Sequence, residues 1–111
     1  MEIKESKTGE FWVIDLIGQI KSSDHAELQK KLLGMIEQGE KRIVVNCSGL
    51  TYINSSGLRI LLIVLRKITA AGGELRIAGL RDSIREIMVI SGFTSIFSIY
   101  ATLDEAVNTN P

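Results

Sequence analysis

The chain has 111 residues, 45% of them hydrophobic, enough to build one domain with its own core and too few for a second. Thirteen basic and thirteen acidic side chains give a formal net charge of zero. That balance leaves no electrostatic footprint for nucleic acid or an anionic membrane, and a protein partner fits better.

The amino terminus, Met1-Glu2-Ile3-Lys4-Glu5, is charged and lacks an apolar stretch, so neither secretion nor a lipid anchor is signalled. The segment Glu2–Glu5, the Thr8-Gly9 turn and the Val-, Ile- and aromatic-rich run Phe11 to Gly18 predict an antiparallel hairpin with an edge strand. From Asp24 the period becomes helical. Leu28, Leu32, Met35 and Ile36 share one face, Glu27, Lys30, Lys31 and Glu37 the other, with Asp24 and Glu27 as a capping box and Gly39 as the stop. The β-branched block 42–47 reads as a buried parallel strand, followed by a long loop over 48–55. It contains Cys47, the single cysteine, which excludes an internal disulfide, fits a reducing compartment and reads as a small buried residue.

A helix from about Ser56 to Ala71 follows, apolar nearly all round and so expected to be internal, and Gly72-Gly73 closes it. Its apolar block Leu58–Leu65 is interrupted at Arg59 and ends at Arg66-Lys67, far short of the roughly 20 apolar residues a membrane span needs. The chain thus reads as soluble and cytoplasmic. Glu74–Ala78 predicts another strand, and Asp82 opens a helix with Ile84, Ile87 and Met88 on one face and Ser91-Gly92 at its end. A last strand is expected over Ile96–Tyr100. Thr102 and Glu105 cap a final helix over Leu103, Ala106 and Val107, and the polar tail 108–111 is expected to be mobile. The order ββαβαβαβα implies a single α/β domain over 1–111: a mixed, mainly parallel five-stranded sheet with four helices.

Chemistry concentrates at Asn54-Ser55-Ser56-Gly57-Leu58, where two hydroxyls and a glycine open the most apolar helix. Ser55 or Ser56 can serve as a plain helix cap. A phosphate on a first-turn serine would equally be stabilised by unpaired N–H groups and the helix dipole. Enzymatic alternatives find little support. His25 is the only histidine and reads as a solvated residue of the first helix. Ser56 lacks the preceding glycine of a nucleophile elbow, because Asn54 stands there, and Gly72-Gly73 matches no nucleotide-binding spacing. No metal or cofactor set is found. Arg59 and Arg66 lie on the stripe that Ser56 begins, either as a solvent rim or as docking residues. Trp12, Met35 and Met88 read as packing residues.

Together, the element order, Gly18-Gln19-Ile20, the loop Ser48-Gly49-Leu50-Thr51-Tyr52-Ile53 and the run Asn54 to Leu58 resemble the bacterial anti-sigma factor antagonists, the single-domain STAS proteins. Gly72-Gly73-Glu74-Leu75-Arg76-Ile77 and Ser91-Gly92-Phe93 extend the likeness over nearly the whole chain. The resemblance implies a non-enzymatic regulator that docks on a serine-kinase anti-sigma factor and is released when that kinase phosphorylates it. It places the phosphoacceptor at Ser56 and the docking residues at Asn54, Ser55, Gly57, Leu58 and Arg59, with Lys21, Ser22 and Ser23 beside them. A serine phosphatase would reverse the modification, and the chain would be a monomer or weak homodimer. Two departures from the family are visible: Asn54 replaces the Asp that usually opens the motif, and Lys21 aligns with the acid often found after the family's Gly-Glu-Leu stretch. They fit an alternative, a STAS scaffold or oligomerisation module that is never phosphorylated.

Overall fold

The computed structural model describes residues 1–110; of the polar tail, Pro111 lies outside them. Strands β1 (Glu2–Thr8) and β2 (Phe11–Ile20) form the expected hairpin, in register from Glu2↔Ile17 to Thr8↔Phe11. Gly9 turns it with a φ of +60°, a region L side chains rarely adopt. The first helix departs from the expected cap. A 3-10 turn over Ser22–Asp24 precedes α1 (His25–Glu37), and the Asp24 carboxylate accepts from the Lys21 N–H at 2.9 Å, one turn earlier than the proposed pairing with Glu27. His25 is half-buried, with its Nε2 lacking a partner among the described residues, and so is less solvated than expected.

Strand β3 (Arg42–Asn46) runs parallel to β2, and the supposed loop that follows contains β4 (Leu50–Ile53). The ten-residue β2 makes room for both: Trp12–Asp15 pair with β3, and Gly18–Ile20 pair with β4 across an irregular step. Only four residues long, with Leu50 and Ile53 buried around exposed Thr51 and Tyr52, β4 lacks the two-residue alternation that marks a strand in sequence. Next come α2 (Ser55–Ala70), β5 (Glu74–Ala78), α3 (Asp82–Ile90), β6 (Ser98–Tyr100) and α4 (Leu103–Asn108). The last strand is shorter than expected, because a 3-10 turn over Phe93–Ser95 runs into Ile96 and Phe97 is drawn into the core.

The main path of the sheet has five strands, in the order β1-β2-β3-β5-β6, with β4 hydrogen-bonded to β2 off that path. Only β1 pairs antiparallel; every other pairing among the described residues is parallel. Side chains alternate across the sheet. One face sets Ile14, Leu16, Val45 and Ile77 beneath α1, α2 and α3, while the other sets Phe11, Val44 and Ala78 beneath α4 and its Ala106. Cys47 is buried, as expected, and desolvation pushes its thiol up to about 12, so it stays neutral near pH 7.

One buried side chain was not foreseen. Arg76 of β5 is 1% exposed and lies under α4, where its Nη1 donates to the carbonyls of Ala106 and Thr109, each at 2.6 Å. Asn108 thus closes a helix and Thr109 is tied to the sheet, where a free tail had been expected from residue 108.

Candidate functional site

Strands β2 and β4 finish together, with Ile20 paired to Ile53, so Lys21 and Asn54 leave the sheet side by side. Each leads into a helix, α1 or α2, and these two helices pack against one another. The segments Lys21–Ser23 and Asn54–Ser56 therefore share the carboxyl end of the parallel strands, where open α/β folds characteristically place their sites.

The local geometry reassigns the cap. Asn54 is extended (φ −92°, ψ 174°) and its Oδ1 accepts from the Gly57 N–H at 2.8 Å, while its own carbonyl accepts from Leu58 N–H at 3.1 Å. Capping thus falls to Asn54, and neither Ser55 nor Ser56 performs it. Both serines occupy the first turn, both are exposed, and neither hydroxyl has a hydrogen-bond partner among the described residues. Helix geometry also leaves their N–H groups without intrahelical acceptors. A hydroxyl in this position is open to chemistry, and it belongs to a helical first turn, whose free N–H groups suit an anion.

The other proposed docking residues divide into two groups. Lys21, Ser22, Ser23 and Arg59 are exposed, and Asn54 is half-buried. Gly57 and Leu58 are buried, so they shape the turn from beneath and offer no surface for docking. A β-carbon on Gly57 would come within 2.6 Å of Ile53 Cγ1, which explains glycine there. Helix α2 also proves less internal than its composition suggested. Leu58, Leu61, Val64 and Ile68 face the core, whereas Ser56, Arg59 and Arg66 line an outward stripe with Leu62 and Ile63 half-buried between the arginines. Tyr52, which the sequence places in the loop over 48–55, lies 47% exposed on β4 two residues before the cap. The available signal was its being the lone aromatic of that stretch, since tyrosine is enriched at interfaces.

The cap assignment has a direct test. Asn54→Ala should lower stability by about 0.5–2 kcal/mol through loss of the cap, whereas Ser56→Ala should stay within about 0.5 kcal/mol of the parent. Urea denaturation of both variants measures this, and the reverse ranking would return the capping role to Ser56.

The family model for the STAS domain matches residues 2–106. This chain belongs to the STAS domain family. Among relatives, BtrV of Bordetella bronchiseptica, a proposed anti-sigma factor antagonist, is 33% identical over 99 residues, spanning 89% of this STAS domain and 85% of BtrV. The anti-sigma-B factor antagonist of Staphylococcus aureus is 24% identical over 99 residues, with 89% and 92% covered. The phosphorylated form of SpoIIAA, a Bacillus cell-fate determinant, superposes with a TM-score of 0.76 at 25% identity, covering 96% of this chain and 97% of SpoIIAA. A Thermotoga maritima protein with a TM-score of 0.89 and 16% identity, covering 95% of this chain and 91% of its own, shares the fold. Among the described residues, no helix of this STAS domain is long and apolar enough to cross a membrane.

Proposed function

We propose that this STAS domain is a cytoplasmic anti-sigma factor antagonist that works by partner switching. Unmodified, it docks through the Ser55–Ser56 turn and the outward stripe of α2 onto a serine-kinase anti-sigma factor, freeing a sigma factor or an equivalent output protein. The kinase then transfers the γ-phosphoryl group of ATP to Ser56 Oγ; the hydroxyl proton departs and ADP is the product. The chain supplies the acceptor and no catalytic group.

One observation carries this reading: Ser56 is exposed and free of capping duty in the first turn of a 16-residue helix, because Asn54 has taken that duty. Relatives named as anti-sigma factor antagonists, and a SpoIIAA neighbour described in phosphorylated form, support the assignment. Phosphorylation adds about −1.5 to −2 charges. Within the protein the N-terminus of α2 offsets that charge, but a matched interface would have to desolvate it. A buried group left unpaired costs about 2–5 kcal/mol, or some 30- to 4,000-fold in affinity. A serine phosphatase would restore the docking form.

Asn54 and Lys21, standing where the family resemblance expects acids, favour a second reading: a scaffold or oligomerisation module never phosphorylated. Incubation with purified serine kinases from the same genome, ATP and magnesium, followed by intact-mass measurement, separates the two. The expected result is one phosphate on the parent, none on Ser56→Ala, and faster modification of Asn54→Asp. Ser56→Asp should keep its fold and lose partner binding. An unchanged mass for parent and Asn54→Asp with a kinase that binds the chain would leave the scaffold reading in place.

A further inference from the structure

Although the chain is formally neutral, its charges are segregated. Between Glu40 and Glu74 there is no acidic residue, and the stretch carries Lys41, Arg42, Arg59, Arg66 and Lys67. Arg42 is neutralised at the far end of the sheet by Glu10 and Glu74. The three basic residues of α2 are exposed and make no ion pair among the described residues. Lys21, beside Asn54 at the neighbouring strand end, is exposed, and its backbone N–H holds the carboxylate of Asp24. Along α2 the outward order is therefore hydroxyl, cation, apolar pair, cation: Ser56, Arg59, Leu62 with Ile63, Arg66. Positions three and four apart on a helix are neighbours, so this is one continuous strip. An apolar centre within a charged rim is the ordinary anatomy of a docking surface, and the rim's sign selects its partner.

We infer that the partner surface meeting α2 is acidic, an apolar seat for Leu62 and Ile63 flanked by carboxylates that face Arg59 and Arg66. The inference rests on the proposed docking of this face to a kinase-type protein, and is independent of whether Ser56 is modified. It also explains how a phosphate would act. Placed one turn before Arg59, a phosphate on Ser56 would pair with that guanidinium and cancel the charge the partner reads, while repelling the partner's carboxylates.

The test uses purified serine kinases from the same genome as probes, titrated without ATP against the intact chain by calorimetry. For a kinase that binds, Kd should rise at least about tenfold for Arg59→Glu and for Arg66→Glu. It should also rise as salt goes from about 0.05 to about 0.3 M. Lys4→Glu, an identical charge change on the exposed edge strand, should leave Kd unchanged. A Kd indifferent to both arginine reversals and to salt, or tightened by them, overturns the acidic-partner inference while leaving the switch intact. Charge-dependent binding with no mass change on adding ATP supports the inference and removes the switch. Failure of every kinase to bind removes both.

Discussion

Arg76→Ala should destabilise the protein by about 3–5 kcal/mol, because a buried cation is removed from partners that remain. Its guanidinium holds the carbonyls of Ala106 and Thr109 at the carboxyl end of α4, where a helix has no donors of its own and its dipole favours a positive charge. The rings of Phe11 and Tyr100 lie 4.7 and 5.3 Å from the guanidinium carbon, and Glu74 Oε1 is 3.4 Å from Nη2. Alanine would leave those carbonyls facing a void. With only six residues, α4 has too little helical stability of its own to stay formed once undocked. Urea denaturation should show the loss, and hydrogen exchange should show Leu103–Asn108 opening first. A parental midpoint with α4 still protected would refute the latch. Since α4 covers the sheet face opposite α2, partner binding by the folded variant should persist.

Leu61→Ala should cost about 2–5 kcal/mol, and Leu62→Ala distinctly less, about 1 kcal/mol. Leu61 is 2% exposed among the core residues of α2, so its truncation leaves a cavity. Its neighbour is half-buried on the outward stripe, where water can take the vacated space. Successive helical residues differ by about 100° in direction, so the contrast reports the rotation of α2 and with it the exposure of Ser56. Equal denaturation midpoints for the two variants would place α2 in a different rotation and undo the stripe on which the docking proposal stands.

Features governed by near neighbours were legible in the residues. The Thr8-Gly9 hairpin, the β-branched strand at Arg42–Asn46, the helix end at Ser91-Gly92 and the Thr102 cap all depend on chemistry within a few positions. The motif at Asn54–Leu58 was equally visible, and so was its place at a helix start. Which of its residues caps the helix is not legible there. Asn, Ser and Ser are all good caps, and only the backbone geometry shows which of them bonds to the Gly57 N–H.

The remaining features belong to tertiary structure because their partners are remote in the chain. Strand β4 exists because the end of β2 offers an open edge, and a four-residue segment without alternation gains its hydrogen bonds there. The burial of Arg76 depends on carbonyls 30 and 33 residues away, and a strand pattern gives no sign that a cation will be covered. The outward stripe of α2 likewise depends on where α1 and the sheet lie, since the helix is apolar on most sides. Local propensities thus set the position of the serine and the order of the elements other than β4. Helical spacing already grouped Ser56, Arg59 and Arg66 on one stripe; packing decided that this stripe is the side that meets water.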